Sequence, residues 1–339
     1  MNEANVNKKG ANNSGITSEE FEYAQDTIRK LSKYYDGKVV GQQGLKFALI
    51  AAIIADGHVL VESVPGLAKT TAAKVISDAV DGKFSRIQCT PDLLPSDIIG
   101  TQIYNQSSGR FETILGPVFA NFVLLDEINR SSAKTQSAML EAMQERHVTI
   151  GGVTYQMPED VFIVIATQNP IEQEGTYPLP EAQVDRFLMK VLIGYPSKSE
   201  ESDIIRMNIA PDPVEVRPLV TPADIVDTRK VVQQIYIDEK IQKYIVDIVF
   251  ATRFPADYGL NDLKSMISFG ASPRASINMA LASRAYAFLR NRGYVIPEDV
   301  RAVCHDVMRH RLGLSYEAEA NNITADEIIS NILDKIAVP

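Results

Sequence analysis

A lysine and two threonines directly follow a short turn, an arrangement that could bind phosphate. Lys69 would start a helix whose N-terminal N–H groups attract anions, and its ammonium would reach the β and γ phosphates of a nucleotide. Thr70 could give a hydroxyl to Mg²⁺. The strict pattern G-x-x-x-x-G-K-[ST] fails, however, because Ser63 and Ala68 occupy both glycine positions. This loop alone therefore leaves a plain strand–turn–helix connection equally open. The candidate phosphate-binding residues are Pro65, Gly66, Leu67, Ala68, Lys69, Thr70 and Thr71.

Polar side chains also follow two later apolar runs. Asp126 and Glu127 come directly after the run 122–125, and Asn169 follows the run 161–166. The carboxyl ends of parallel strands form the edge where α/β folds bind ligands. There Asp126 would support Mg²⁺, Glu127 would polarise an attacking water, and Asn169 would position that water. The alternative is that the acids begin a solvent-facing turn and that the asparagine is an ordinary turn former.

The elements that would position these residues are short apolar strands alternating with helices. Strands are predicted at 59–61, 84–89, 122–125, 161–166 and 189–193. Continuous Val/Ile/Leu runs between helical segments indicate a parallel sheet covered on both faces, hence an α/β fold. Two further segments, 101–115 and 147–156, have the turn residues of β-hairpins inserted into this core.

The domain organisation follows from changes in composition. Residues 1–16 are rich in Asn, Gly and Lys, which predicts a disordered tail. Thr17 and Glu20 have capping-box spacing and begin the first helix of an α/β domain at 17–196. Prolines at 211, 213, 218 and 222 are typical of a linker, and the patterns beyond it are helical. Residues 197–339 are therefore predicted to form an all-helical domain.

Charge and cysteine content limit the classes of function. The chain has 339 residues, a formal net charge of −9 and two cysteines. A negative surface argues against sequence-independent nucleic-acid binding, which depends on cationic groups. No apolar run approaches the roughly 20 residues that span a bilayer, so no integral membrane segment is expected. The two cysteines lie far apart and give no disulfide framework, which fits a reducing cytosol. The absence of a signal-peptide pattern agrees, so a cytoplasmic location is expected.

Four ordered blocks together make the chain resemble the MoxR family of AAA+ ATPases. The first is the phosphate loop, 64–70, and the second is 90–97. The third is 125–130, and the fourth is the long stretch 166–187. The resemblance runs from Val39 to Arg311. It implies an AAA+ core with a five-stranded parallel sheet in the order 5-1-4-3-2, followed by a helical lid.

The resemblance also implies roles for individual residues. Lys69 and Thr70 match Walker A, Asp126 and Glu127 match Walker B, and Asn169 matches sensor 1. Arg186 matches the arginine finger that acts on a neighbouring subunit's nucleotide, and Arg274 matches sensor 2 on the lid. The segment against the adenine is matched by Val39, Val40 and Gly41. In this family Ala68 is usual, whereas Ser63 departs from the commoner glycine.

The function implied is an ATP- and Mg²⁺-dependent motor that remodels or matures a client protein in chaperone fashion. The expected assembly is a homo-oligomeric, hexameric ring with a von Willebrand factor A-type partner protein. Both hairpins would face the ring axis. One alternative is the motor subunit of a magnesium-chelatase-like complex. Another is a nucleotide-gated binding module with little turnover, for which Ser63 is the only motive. A DNA-acting motor is a more distant alternative.

Overall fold

A computed structural model of the protein describes residues 15–170, 175–209 and 218–339. Most of the predicted N-terminal tail, 1–14, lies outside these residues. Ile16 was included in that tail, yet it is buried in the core. Directly after it, the predicted capping box is present: the Thr17 hydroxyl accepts the Glu20 N–H, and the Glu20 carboxylate accepts the Thr17 N–H.

The strands of the described residues comprise one central sheet and three short antiparallel pairs. They are β1 (Val59–Ser63), β2 (Phe84–Gln88), β3 (Gly100–Asn105), β4 (Arg110–Leu115), β5 (Phe122–Asp126), β6 (His147–Ile150), β7 (Val153–Gln156), β8 (Ile163–Gln168), β9 (Met189–Ile193), β10 (Ile267–Phe269) and β11 (Gly313–Leu314).

The central sheet has the order β2-β5-β8-β1-β9, and every neighbouring pair is parallel. Numbered along the chain, these strands are the second, third, fourth, first and fifth, so the predicted order 5-1-4-3-2 is confirmed. Its central strands are almost entirely buried because they carry Val, Ile and Leu on both faces. The carboxyl ends of β1, β5 and β8 consequently meet at one edge.

Helices cover both faces of this sheet and continue beyond it. They are α1 (Ser18–Asp36), α2 (Gln43–Ala55), α3 (Lys69–Ala79), α4 (Pro95–Ile99), α5 (Ala133–Glu145), α6 (Glu181–Val184), α7 (Lys198–Ile209), α8 (Pro222–Gln233), α9 (Glu239–Arg253), α10 (Pro273–Leu289), α11 (Pro297–Met308), α12 (Tyr316–Ala320) and α13 (Ala325–Lys335).

The buried apolar residues form two clusters, one on each face of the sheet. One cluster includes α5 and the hairpin of β6 and β7. The other contains α1, α2 and α3 and continues without a break into α9, α10, α11 and α13. The α/β core and the lid thus share one buried cluster. The division at 196/197 stays a prediction, since α8 lies beyond it and still packs on α1 and α2.

Two features of the C-terminal region differ from the sequence prediction. Pro222 was assigned to a linker, but it is the first residue of α8, with Thr221 as N-cap. Proline suits that position because its missing N–H has no intrahelical partner there. The C-terminal region is helical as predicted, but β10 and β11 add a short antiparallel pair. Three- and two-residue strands are too short to leave a periodic signal in the sequence.

The two inserted hairpins are present and contact each other. β3 pairs with β4, and β6 pairs with β7. The Tyr155 hydroxyl donates to Thr113 Oγ1 at 3.0 Å, joining the second hairpin to the first. Gly151 has a φ of +57°, and a Cβ there would lie 2.2 Å from the Gln102 amide nitrogen. The left-handed backbone favours glycine here, and the missing side chain leaves room for the Gln102 amide.

No helix among the described residues combines the length and apolarity needed to cross a membrane.

Candidate functional site

The predicted phosphate loop connects the end of β1 to the start of α3. Gly66 has a φ of +84°, and a Cβ built there meets no atom within 4 Å, so the loop surface beside it is open. Helix α3 begins at Lys69, and the first N–H groups of a helix lack intrahelical partners. The loop therefore has the backbone donors and the open space that a phosphate needs.

The two residues that replace the Walker glycines have different backbone conformations. Ser63 is the last residue of β1, paired in register with Ile193, and its hydroxyl donates to the Val64 carbonyl at 3.1 Å. An extended residue has no need of glycine, so Ser63 is compatible with the loop. Ala68 has a left-handed backbone with a φ of +54°. This conformation costs a non-glycine residue about 1 kcal/mol and is typical of functional turns.

The Lys69 ammonium lies over its own loop. Its Nζ donates to the carbonyls of Ser63 at 3.4 Å and Val64 at 3.3 Å. Burial lowers the pKa of Lys69, while the Asp126 and Glu127 carboxylates act in the opposite direction. The ammonium is thus held near both acids by weak contacts to neutral carbonyls, which phosphate oxygens can replace.

The two acids at the end of β5 are held by one residue on the neighbouring strand β8. Thr167 is fully buried, and its hydroxyl donates to Asp126 Oδ1 at 2.8 Å. The Thr167 hydroxyl oxygen in turn accepts the Glu127 N–H, also at 2.8 Å. Glu127 has a left-handed backbone with a φ of +56°. The reading that the acids merely begin a solvent-facing turn does not fit, because Asp126 is buried and Glu127 is anchored.

Two side chains on the edge strand β2 also contact these acids, and sequence reasoning missed both. Arg86 donates to Asp126 Oδ2 from Nη2 at 2.6 Å and from Nε at 3.2 Å. Gln88 Nε2 lies 3.3 Å from Glu127 Oε2, and Arg130 Nη1 lies 3.2 Å from the same oxygen. The sequence did offer one signal for them: Arg86 and Gln88 are alternate polar residues on a strand of a sheet predicted to be covered on both faces.

Asn169 follows β8 at the same sheet edge and is buried. Its carbonyl oxygen lies 3.5 Å from Asn129 Nδ2, on the turn after β5. The structure thus brings Asn169 to the edge that carries the phosphate loop and the two acids, as the spacing predicted.

A cavity of about 590 Å³ opens beside the phosphate loop. Of the predicted nucleotide-binding residues, Val39, Val40, Gly66, Leu67, Ala68 and Thr71 line it. The facing wall includes Pro196 and three residues of α7 that sequence reasoning missed: Ile204, Met207 and Asn208. The volume and the largely apolar walls suit a nucleoside. Helix α7 is short and follows a proline-containing break, and nothing in its sequence indicates that it packs against the phosphate loop.

Gly41 does not line this cavity but shapes the segment that does. Its φ is +69°, and a Cβ would lie 2.5 Å from the Glu200 carboxylate of α7. The glycine therefore allows α7 to approach the segment 39–41 closely.

Arg186 and Arg274 lie at the opposite edge of the sheet from the phosphate loop. β1 and β9 are parallel and in register from Val59↔Met189 to Ser63↔Ile193, so Arg186 precedes the amino end of β9. A five-residue strand spans about 16 Å, which separates Arg186 from the loop of its own chain. Arg274 Nη1 lies 3.5 Å from Asp185 Oδ2, next to Arg186 in sequence. Arg274 thus contacts the residue before Arg186, and both arginines lie away from Lys69.

Asp185 links this segment to the lid. It accepts the Ser272 hydroxyl at 2.9 Å and Arg311 Nε at 2.9 Å. The Arg311 side chain is fully buried, and burial lowers its pKa to about 10, so the guanidinium stays charged at neutral pH. Arg186 Nη1 itself donates to the Leu140 carbonyl of α5 at 2.8 Å.

The residues present fit a magnesium nucleotide. The Thr70 hydroxyl and the Asp126 carboxylate are hard oxygen donors of the kind Mg²⁺ prefers, close to an open helix N-terminus with a lysine. Asp126 and Thr70 would hold the metal and its waters, and Lys69 would neutralise phosphate oxygens. The bound metal would withdraw charge from the terminal phosphate.

The chain is similar to known proteins over most of its length. Residues 58–189 match the family model described as ATPase family associated with various cellular activities (AAA), and 262–332 match an AAA lid domain. The chain is 51% identical to the chaperone MoxR1 of Mycobacterium tuberculosis, over 89% of this chain and 79% of that one. It is 43% identical to the uncharacterized protein YeaC of Bacillus subtilis, over 92% and 95%. The crystal structure of a putative ATPase from Cytophaga hutchinsonii superposes with a TM-score of 0.89 at 48% identity, covering 95% of this chain and 97% of that one.

Proposed function

Because the chain belongs to the MoxR family of AAA+ ATPases, we propose that it hydrolyses ATP to ADP and phosphate and uses this cycle, chaperone-fashion, to remodel or mature a client protein. The observation that carries the proposal is the Thr167 hydroxyl, which anchors Asp126 and Glu127 together beside the phosphate loop.

The chemistry divides among residues at this edge of the sheet. Glu127 is the general base for the attacking water, since its carboxylate reaches the edge while its backbone is fixed. Lys69 exchanges its carbonyl contacts for phosphate oxygens and stabilises charge that develops on them. Asn169 orients the water. Asp126 acts through the metal, with Thr70.

Arg186 and Arg274 serve the nucleotide of a neighbouring subunit. Both lie across the sheet from their own phosphate loop, so neither reaches its own γ-phosphate without a large rearrangement. An arginine supplied in trans to a phosphoryl transition state contributes about 10³–10⁵ in rate. Hydrolysis would therefore depend on assembly, as in a homo-oligomeric, hexameric ring acting in the cytoplasm.

The hairpin of β3 and β4 is the surface we assign to the client. Tyr104 and Phe111 are cross-strand partners, 56% and 68% exposed, with ring centroids 5.4 Å apart. Exposed aromatic pairs of this kind commonly mark contact sites for apolar polypeptide segments. A von Willebrand factor A-type partner belongs to the proposal on family resemblance.

Subunit mixing tests hydrolysis in trans. Lys69→Ala removes a subunit's own catalysis, and Arg186→Ala removes what it gives to its neighbour. Each protein alone should release phosphate at the background rate, whereas their mixture should recover a measurable fraction of wild-type activity. The stoichiometric control is a mixture of wild type with a variant that carries both Lys69→Ala and Arg186→Ala. If the two single variants never complement each other, the trans assignment is wrong.

Light scattering from a heat-denatured model protein tests the chaperone-like role. ATP should suppress aggregation with wild type and not with Glu127→Gln. Tyr104→Ser combined with Phe111→Ser should lose the suppression while keeping phosphate release. Affinity capture with Glu127→Gln in ATP should retain client and partner. Phosphate release that Glu127→Gln leaves untouched would refute the mechanism.

Neither main alternative is favoured. The MoxR relatives point away from a magnesium-chelatase-like subunit. A binding module with little turnover was motivated only by Ser63, and that residue is an ordinary extended strand residue here.

A further inference from the structure

We infer that Arg86 is a cationic placeholder for the metal: its guanidinium holds Asp126 until a divalent cation arrives with the nucleotide, and so sets the metal concentration the site requires. This inference is based on the proposed function, because it concerns the same ATP site.

Arg86 reaches the acid from the neighbouring edge strand. On β2 it has the same side-chain direction as Phe84, which packs in the cluster that contains α3, whereas Ile87 packs in the other cluster. Arg86 therefore lies on the face of the sheet that carries the phosphate-loop helix. Its side chain is 48% exposed, so it is not a buried structural residue.

Both carboxylate oxygens of Asp126 are engaged, but by different partners. Oδ1 accepts the neutral hydroxyl of buried Thr167 at 2.8 Å. Oδ2 accepts two N–H groups of Arg86, at 2.6 and 3.2 Å. Because Oδ1 already accepts a hydroxyl from the buried Thr167, Oδ2 is the oxygen we assign to a hydrated metal ion. The guanidinium and the metal therefore compete for one oxygen.

The contacts of Arg86 extend this competition to the second acid. Its Nη2 also donates to Gln88 Oε1 at 2.7 Å, and Gln88 Nε2 lies 3.3 Å from Glu127 Oε2. Arg86 and Gln88 thus connect the proposed metal-binding carboxylate of Asp126 to the proposed general base, Glu127, through a continuous series of hydrogen bonds. Metal binding at Asp126 would free Arg86 and loosen the Gln88 contact to Glu127.

The charges around the phosphate loop agree with this role. Asp126 and Glu127 carry two negative charges, and Arg86 compensates the one that lies deeper. Two cations on one carboxylate repel each other, so a free metal ion gains little until the nucleotide's phosphates add negative charge. The placeholder thereby favours the metal–nucleotide complex over the metal alone.

Binding of Mn²⁺, a paramagnetic substitute for Mg²⁺, tests the inference without measuring turnover. Free Mn²⁺ is followed by electron paramagnetic resonance in the full-length protein with saturating ADP. Arg86→Gln should half-saturate at a roughly three- to tenfold lower Mn²⁺ concentration, the range expected for a charge-assisted bond at a half-exposed side chain. Arg86→Lys keeps the charge but loses the two-point contact, so its half-saturating Mn²⁺ concentration should lie between those of wild type and Arg86→Gln.

Arg29→Gln is the matched control, because Arg29 pairs with Asp26 on the surface of α1. It should leave the Mn²⁺ titration unchanged. Fluorescent ADP binding in excess chelator should be equal in wild type and Arg86→Gln.

An Arg86→Gln titration that coincides with Arg29→Gln, or shifts to higher Mn²⁺, overturns the inference and leaves the proposed function intact. Weaker metal-free ADP binding would mean that Arg86 binds phosphate instead, which also overturns it. If wild type binds neither ADP nor Mn²⁺–ADP, the proposed function fails and the inference with it.

Discussion

Thr167→Val is the substitution that most directly tests how the two acids are positioned. Valine has nearly the same shape as threonine, so the fully buried site keeps its packing and loses only the hydroxyl. Asp126 Oδ1 loses its donor, and the Glu127 N–H loses its acceptor. Both contacts depend on the single hydroxyl oxygen of Thr167, so no other residue on β8 can replace them.

The size of the effect follows from these two bonds. A hydrogen bond to a charged group contributes about 1.5–3 kcal/mol, and an unsatisfied buried N–H costs about 1–3 kcal/mol. Asp126 keeps Arg86, and relaxation recovers part of the loss, so the free energy of unfolding should fall by about 2–4 kcal/mol. The left-handed Glu127 backbone loses its anchor, and misplacing a catalytic group by about 1 Å costs roughly 10²-fold in rate.

Urea unfolding and steady-state phosphate release measure the two effects separately. Thr167→Ser keeps the hydroxyl and should retain most of the activity. Thr228→Val is the matched stability control: Thr228 is also fully buried, but its hydroxyl donates to the Asp224 carbonyl of α8 at 2.8 Å, away from the site. It should lose some stability and no catalytic rate. If Thr167→Val keeps kcat within twofold of wild type, or if Thr167→Ser is equally impaired, the anchoring argument is refuted.

Three further predictions concern the cavity, the lid and pH. Met207→Asn should weaken binding of a fluorescent nucleotide about fivefold, since α7 would lose part of an apolar wall. Asp185→Asn should lower the free energy of unfolding by about 3 kcal/mol in urea, because it leaves the Arg311 guanidinium buried without its counter-charge. Burial lowers the pKa of His58 to about 4, so the folded protein holds it neutral while the unfolded chain protonates near 6.5. Stability is therefore full above pH 6.5 and falls below it by up to about 1.4 kcal/mol per pH unit, a slope that His58→Asn should reduce in urea titrations.

Ile205 and Asp203, two exposed residues of α7, provide control substitutions for the first two of these predictions. Ile205→Asn changes an exposed residue of α7 that does not line the cavity, and it should not alter nucleotide binding. Asp203→Asn removes a surface partner of Arg206 and should change stability by less than about 0.5 kcal/mol. Equal effects from Met207→Asn and Ile205→Asn would contradict the role given to the cavity wall. An Asp185→Asn variant as stable as Asp203→Asn would contradict the buried ion pair.

Much of the fold was predictable because local sequence patterns specify its strands and helices. Five short apolar runs between helices specified a parallel sheet, and the strand order 5-1-4-3-2 came from the family resemblance. Thr17 and Glu20 marked the start of α1 because capping depends on residues three apart. Pro222 was misassigned because proline is common both in linkers and at the first position of a helix. The pair β10–β11 was missed because strands this short have no periodicity.

The candidate site divides in the same way. By itself the sequence determined which residues end the strands: Lys69 after β1, Asp126 and Glu127 at β5, and Asn169 after β8. Parallel strands must bring those ends to one edge, so their proximity needed no coordinates. The tertiary structure decided what holds and surrounds them. Thr167, Arg86, Gln88 and the wall of α7 are distant in sequence from the residues they contact, and no local periodicity encodes a contact between different strands or across a linker. The same is true of Arg186 and Arg274: the sequence indicated two arginines, and only the tertiary structure placed Arg274 against Asp185, the residue before Arg186, across the sheet from the phosphate loop.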